Sequence, residues 1–265
     1  MAQPWHEFSL LDRPDILLFV FYPRQDLSNS PLAENVTSYL IPVDQDISIS
    51  CCFYAGDKSY ANILYFHGNG EIASDYEDIG SIFNQMGLNL FVADYRGYGR
   101  SGGMPTLTSM IKDAHPIFEG FKKTLQERGY SGKLFVMGRS LGSASAVEVA
   151  YNYQGQLQGL IIESGFASVV NLLEDLGMPV KTFELEKSGE ATGIELITKI
   201  TIPTLVIHGE YDHIVPPEEG KALYASSGAK DKRLLIIPGV DHNTIFFGGM
   251  EQYTNALKDF IAAHS

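Results

Sequence analysis

Short, unbroken runs of apolar residues recur along the chain and alternate with longer stretches of helical periodicity. Such runs are typical of strands buried on both faces, which occur where helices cover a parallel sheet from either side. The sequence therefore predicts a mostly parallel α/β sheet with helices on both faces. Six runs follow this pattern: residues 62–66, 88–93, 134–137, 159–162, 204–207 and 234–237.

Two earlier segments have a different pattern. Residues 36–40 and 47–54 alternate apolar with polar or small side chains, as partly solvated antiparallel strands do. We therefore expect an antiparallel leading edge on the sheet. Pro116 lies inside one predicted helix, where we expect a kink or a late start. The predicted helices cover residues 72–86, 107–128, 141–153, 217–226 and 250–263.

The length and composition suit a single domain. A chain of 265 residues that is 45% hydrophobic is typical of one large α/β domain, residues 1–265. Residues 165–200 interrupt the alternation of strands and helices, because they are apolar at Leu172, Leu173 and Leu176 and then polar. We interpret this segment as a short lid between two strands, and we expect its apolar part to line an acyl pocket.

The charged residues exclude two classes of partner. The formal net charge is −13 and the Lys and Arg residues are scattered, so neither nucleic acid nor an anionic membrane surface is expected to bind. No apolar run approaches the roughly 18 residues that a transmembrane helix requires. The first seven residues lack the features of a secretory signal, which predicts a cytoplasmic protein.

The cysteines and histidines do not predict a metal site. Cys51 and Cys52 are adjacent, which disfavours a disulfide between them and gives no metal-ligand spacing. His208 and His213 also lack a recognisable ligand frame. We expect two buried thiols and no metal or organic cofactor.

The pattern Gly-x-Ser-x-Gly occurs twice, at residues 99–103 and 138–142. It marks a nucleophilic serine only where a strand ends and a helix begins at the serine. The second match directly follows the apolar run 134–137 and precedes a helical stretch, so Ser140 is the predicted nucleophile. The first match lies several residues beyond its strand and precedes a proline, so Ser101 is predicted to have a loop role.

Two glycine-rich turns are expected to surround the nucleophile. A serine on a strained turn needs neighbours without bulk, which Gly138 and Gly142 provide. The helix that follows would point the amide of Leu141 at a developing oxyanion. The turn after the first parallel strand is the expected source of a second donor, the amide of Asn69, with the turn shaped by its flanking glycines, Gly68 and Gly70.

A serine needs a histidine to accept its proton. Four histidines follow Ser140 in the chain: His208, His213, His242 and His264. His242 lies in the loop after the last predicted strand, at the edge of a parallel sheet where catalytic groups gather, and is the predicted base. His67 precedes the nucleophile and is predicted to be a structural hydrogen-bonding residue.

A carboxylate must orient the predicted base. Asp212 follows the run 204–207 and is delivered to the same edge of the sheet, so it is the first choice. Glu210 lies nearer the strand and is interpreted as a residue that holds the loop, whereas Glu163, at the end of the preceding strand, remains a more distant alternative acid. Asp241 is adjacent to the base in sequence and is predicted to shape its loop.

Four blocks of sequence resemble the α/β-hydrolase superfamily, and within it the group of BEM46-like and ABHD-type serine hydrolases. They are His-Gly-Asn-Gly at 67–70, Asp-Tyr-Arg-Gly-Tyr-Gly-Arg-Ser at 94–101, Gly-Arg-Ser-Leu-Gly at 138–142 and His-Gly-Glu-Tyr-Asp at 208–212. This resemblance implies the α/β-hydrolase fold. It also implies hydrolysis of carboxylic esters or thioesters without a metal or organic cofactor.

Three functions remain open at this point. The first is an esterase or thioesterase that forms an acyl-enzyme on Ser140 and takes a small-molecule acyl substrate. The second is an amidase or aminopeptidase that uses the same residues. The third is a binding protein without activity on a hydrolase scaffold.

Overall fold

A computed structural model describes residues 11–28, 33–175, 177–178 and 193–265. Eight strands form one sheet in the order β1-β2-β4-β3-β5-β6-β7-β8. The strands β1 and β2 pair antiparallel, as do β2 and β4, and every other neighbouring pair is parallel. The strands are β1 (Val36–Asp44), β2 (Ile47–Tyr54), β3 (Ala61–Phe66), β4 (Leu88–Ala93), β5 (Leu134–Arg139), β6 (Gly159–Glu163), β7 (Thr204–Gly209) and β8 (Lys232–Ile237).

Helices connect the parallel strands and flank the sheet. A short 3₁₀ helix, Ala73–Tyr76, precedes α2. The α-helices are α1 (Pro14–Val20), α2 (Glu77–Gln85), α3 (Leu107–Arg128), α4 (Gly142–Tyr153), α5 (Val169–Asp175), α6 (Gly193–Ile197), α7 (Pro217–Ser226), α8 (Ile245–Gly248) and α9 (Met250–His264).

Alternate residues of the central strands point into two separate cores. Leu64 of β3 packs in one core with Phe118 of α3, whereas its neighbour Ile63 packs in the other with Phe83 of α2 and Phe260 of α9. Both faces of the sheet are therefore covered by helices. This arrangement explains why the strands are unbroken apolar runs.

The predicted fold class is confirmed: the sheet is mostly parallel, begins with antiparallel strands and is flanked by helices. Two details were wrong, the extent of one helix and the burial of one strand. The helix expected over 72–86 is divided into the 3₁₀ helix and α2. The helix with Pro116 has its predicted bounds, Leu107–Arg128, so of the two expected effects of Pro116 the late start is absent. The strand β2 is largely buried rather than partly solvated, because its side chains pack alternately into the two cores.

The predicted lid is only partly within the described residues. Residue 176 and residues 179–192 lie outside them, so this expectation applies to α5 and α6 alone. Leu172 and Leu173 of α5 are buried and belong to the hydrophobic core. These two leucines therefore stabilise the domain, where the sequence suggested that they line a pocket.

Candidate active site

Ser140 lies on a sharp turn between β5 and α4. Its φ angle is +50°, a left-handed conformation that costs a residue with a side chain about 1–2 kcal/mol. The amide of Ser140 donates to the carbonyl of Glu163 (2.8 Å), and its carbonyl accepts from the amide of Ser143 (2.9 Å). These two bonds hold the strained turn in place.

The glycines on either side of Ser140 allow the strand and the helix to approach closely. A Cβ atom at Gly138 would lie 2.3 Å from the carbonyl oxygen of Gly142. A Cβ atom at Gly142 would lie 2.1 Å from the carbonyl oxygen of Phe66 on β3. Both contacts are with backbone atoms, which cannot move aside. This close approach is the one that the sequence pattern predicts.

Asp212 and His242 form a buried pair at the carboxyl edge of the sheet. The Nδ1 atom of His242 lies 2.7 Å from Oδ2 of Asp212. Burial raises the pKa of the Asp212 carboxyl, but hydrogen bonds from His208 and His242 outweigh it and bring the pKa below its usual range. Because an ionised carboxylate only accepts hydrogen bonds, Nδ1 carries the proton and Nε2 is left as the basic nitrogen.

Further hydrogen bonds hold Asp212 in place. Its Oδ1 atom accepts from the amides of Ile214 (3.0 Å) and Val215 (2.8 Å). The Nε2 atom of His208 lies 2.8 Å from the carbonyl of Val215 and 3.4 Å from Oδ2 of Asp212. Sequence reasoning considered His208 only as a base or a metal ligand. The signal for this supporting role was a histidine at the end of a buried strand.

Ser140 and His242 line the same cavity, whose volume is about 420 Å³. This volume is in the range of sites for small molecules. The described residues that line the cavity are Phe19, Tyr22, Asn69, Gly70, Glu71, Arg139, Ser140, Ile214, His242 and Asn243.

One wall of this cavity comes from the N-terminal segment, residues 11–28. Phe19 and Tyr22 line the cavity, whereas no described residue of the segment 165–200 does. The expectation that this later segment lines an acyl pocket is therefore wrong for its described part. Sequence reasoning assigned no role to the N-terminal segment, although the apolar residues of α1 were a signal that it packs against something.

The turn at Asn69 is held by the same N-terminal segment. The Nδ2 atom of Asn69 donates to the carbonyl of Val20 (2.5 Å), and its Oδ1 accepts from the amide of Tyr22 (3.0 Å) and the hydroxyl of Tyr98 (2.6 Å). Both polar atoms of the side chain are thus engaged. Within the described ranges, the backbone amides of Asn69 and Leu141 have no backbone acceptor.

The other residues considered from the sequence each form a hydrogen bond away from the cavity. Ser101 accepts a hydrogen bond from the amide of Ser50 (2.9 Å), and His67 is completely buried with its Nε2 3.1 Å from Asp94. Glu210 accepts from the amide of Gly239 (3.0 Å) and so holds its own loop. None of Ser101, His67 and Glu210 lines the cavity at Ser140.

The carboxylates around the cavity are paired with arginines. Glu71 lines the main cavity, and Asp75 and Glu163 line an adjoining one of about 200 Å³. Glu71 and Glu163 both pair with Arg139, and Asp75 pairs with Arg24. Among the described residues that line these cavities, each carboxylate therefore has a guanidinium partner.

A parallel sheet that carries a strained serine and a His–Asp pair at one edge defines an α/β hydrolase. The family model described as "Serine aminopeptidase, S33" matches residues 57–190 and 189–246, and the chain belongs to this hydrolase family. Within the part of the chain that the structure describes, no helix is both long and apolar enough to cross a membrane.

Known proteins are similar to this chain in sequence or in fold. Protein bem46 of Schizosaccharomyces pombe is 29% identical over 212 residues, which cover 77% of this chain and 68% of that protein. The human α/β-hydrolase domain-containing protein 17B is 28% identical over 222 residues, covering 81% and 71%. The esterase Pf2001 of Pyrococcus furiosus has the same fold, with a TM-score of 0.72 at 18% identity, covering 91% and 98%. The predicted resemblance is thereby confirmed.

Proposed function

We propose that the protein is a serine hydrolase that cleaves carboxylic ester or thioester bonds through an acyl-enzyme on Ser140. His242 is the general base, and Asp212 orients it. The amides of Leu141 and Asn69 form the oxyanion hole. The observation that carries this proposal is the 2.7 Å hydrogen bond between Asp212 and His242 beside a cavity that also contains the strained Ser140.

The proposed reaction has two halves. The Ser140 hydroxyl attacks the acyl carbonyl carbon while its proton passes to Nε2 of His242, and the same proton then goes to the departing alkoxide or thiolate. Water next attacks the acyl-enzyme and gives a proton to His242, which passes it to the departing Ser140 oxygen as the carboxylic acid is released. Each half builds negative charge on the acyl oxygen, which the two backbone amides stabilise.

The pairing of the carboxylates favours esters and thioesters over substrates with a free amino group. An aminopeptidase needs a carboxylate to bind the substrate ammonium group, but Glu71, Asp75 and Glu163 are already paired with arginines. The relationship to a serine aminopeptidase family keeps peptidase activity as the second candidate. The similarity in fold to the esterase Pf2001 supports esterase activity as the first candidate.

The proposal is tested with a fluorophosphonate probe and with nitrophenyl acyl esters of increasing chain length. We expect the wild type to be labelled and to hydrolyse the esters, and Ser140→Ala to lose labelling and at least about 10⁴-fold in kcat. Asp212→Asn should lose about 10⁴-fold, because the base then takes the wrong tautomer. Thioester hydrolysis is measured separately, with acyl thioesters and a reagent that detects the released thiol.

The matched control is the serine of the other Gly-x-Ser-x-Gly sequence. Ser101→Ala should keep both labelling and turnover. Labelling that survives in Ser140→Ala would contradict the proposal, and an unlabelled, inactive wild type would favour a binding protein. Faster hydrolysis of aminoacyl nitroanilides than of any ester would favour the aminopeptidase.

A further inference from the structure

Arg139, the residue before the proposed nucleophile, contacts three separate segments of the chain. Its Nε lies 3.0 Å from Oε1 of Glu163, at the end of β6. Its Nη1 pairs with Glu71 in the turn after β3. Its Nη2 donates to the backbone carbonyl of His242 at 2.7 Å. One guanidinium therefore joins the turn at Ser140, the turn at residues 67–71 (the oxyanion turn) and the loop that carries His242.

Both carboxylates that hold Arg139 are themselves fixed. Glu71 accepts from the amide of Gly68 (2.9 Å) and from the hydroxyl of Tyr76. Glu163 accepts from the hydroxyl of Tyr253 (2.6 Å). Burial, together with the neighbouring carboxylates, raises the pKa of both phenols well above the usual range, so both remain donors. The guanidinium is thus held on two sides by carboxylates that are themselves hydrogen-bonded.

The charge of Arg139 is secure in this environment. Burial by itself lowers the pKa of the guanidinium, but Glu71 and Glu163 outweigh it and raise the pKa above its ordinary value. A Cβ atom on Gly68 would lie 2.5 Å from Nη1, so the oxyanion turn also packs directly against the guanidinium. Arg139 is therefore a rigid, permanently charged donor.

The geometry points to Arg139 as a positioning residue that fixes the backbone of His242, and hence its imidazole, relative to Ser140 and the oxyanion turn. This inference rests on the proposed function of the same site. The bond to the His242 carbonyl is the contact that matters, because among the described residues it is the one hydrogen bond by which Arg139 reaches the loop of the base. A displacement of about 1 Å in a catalytic group costs roughly a hundredfold in rate.

A purely structural role makes a different prediction. If Arg139 only neutralised Glu71 and Glu163, any cation at this position would preserve turnover. Lysine has a single ammonium group and lacks the planar fork that reaches three partners at once. Arg139→Lys therefore separates the two roles, because it keeps the charge and loses the geometry.

The first experiment measures kcat and KM of Arg139→Lys with a nitrophenyl ester. We expect kcat to fall about a hundredfold while KM changes less than about threefold, with a cooperative unfolding transition retained. The matched control is Arg96→Lys, since Arg96 makes two hydrogen bonds to Asp113 (2.6 and 2.8 Å) and lines neither cavity. Its kcat should stay within about twofold of wild type.

The second experiment places Arg139→Lys in a His242→Ala background. Because Arg139 acts through the base, its loss should have little further effect once the imidazole is absent. The same fold-loss in both backgrounds, or an unchanged kcat in the single variant, would overturn the inference. If Arg139→Lys does not fold, the variant with Arg139→Met, Glu71→Gln and Glu163→Gln removes the charges together and should show the same loss of kcat.

These outcomes separate the inference from the proposed function. If His242→Ala retains full kcat, the proposed function fails and the positioning role fails with it. If His242→Ala is inactive but Arg139→Lys is not impaired, only the positioning role fails.

Discussion

Ser140 has a backbone conformation that residues with a side chain avoid, and the fold maintains it with two backbone hydrogen bonds. Such strain is concentrated at functional sites, where it directs a side chain that relaxed geometry would leave elsewhere. In this turn it brings the hydroxyl to the cavity shared with His242. The cost is small relative to the stability of a domain, but it is measurable.

Substitutions at Ser140 should reveal this strain. We expect the free energy of unfolding of Ser140→Gly to exceed that of Ser140→Ala by about 1 kcal/mol, because only glycine adopts this φ angle without strain. Chemical denaturation of the two variants measures the difference.

Ser143, in the first turn of α4, is the matched position for this comparison. There the order should reverse, with glycine about 1 kcal/mol less stable than alanine, because glycine is unfavourable in a helix. The same sign at both positions would mean that the backbone at Ser140 is not strained.

The elements that surround the site come from distant parts of the chain. Residues 11–28 lie across the oxyanion turn, where the Nε of Arg24 donates to the carbonyl of Gly70 (3.2 Å). Further along, the amide of Asp26 donates to the carbonyl of Gly99 (3.0 Å). The N-terminal segment is thus bonded to two loops of the domain and forms a wall of the cavity.

This arrangement predicts which element controls acyl-chain preference. Phe19→Ala should lower kcat/KM for long-chain esters about tenfold relative to short-chain esters, because it removes apolar contact from the cavity wall. A series of nitrophenyl esters from two to twelve carbons provides the measurement.

Leu173→Ala provides the control in the segment that the sequence favoured. This residue is completely buried in the core, so its replacement should cost about 2–5 kcal/mol of stability and leave the chain-length profile unchanged. If Leu173→Ala changes the chain-length profile and Phe19→Ala does not, the N-terminal segment is not the wall that binds the acyl chain.

The whole molecule carries a net charge of −13, and the groups around the cavity add no positive excess. A negative field of this kind raises the local concentration of cations and lowers that of anions. Its range depends on salt, since the screening length falls from about 30 Å at 0.01 M to about 8 Å at 0.15 M.

Charged esters should therefore respond to ionic strength. We expect kcat/KM for a choline ester to fall severalfold as salt rises from 0.01 to 0.15 M, because screening weakens its attraction to the protein. The uncharged ester of the same shape, with carbon in place of the quaternary nitrogen, should change little. Equal salt dependence for both esters would show that the net charge does not act on the substrate.

The sequence by itself determined the identity and type of the sheet strands, and it placed the predicted nucleophile, base and acid in loops that follow them. This was possible because the burial of a strand and the sharp turn at 138–142 depend on residues close together in the chain. The roles of Ser140, Asp212 and His242 remain predictions that the labelling and kinetic experiments will test.

Only the tertiary structure decided which segments lie side by side. The contact between Arg139 and the carbonyl of His242 joins residues 103 positions apart, and Tyr22 meets Asn69 across 47 positions. The order of the strands likewise places β4 between β2 and β3. Local periodicity records whether a residue is buried but not what it is buried against, because lateral neighbours depend on the path of the whole chain. The sequence therefore did not show that the N-terminal segment forms a wall of the cavity, or that Arg139 contacts the carbonyl of His242.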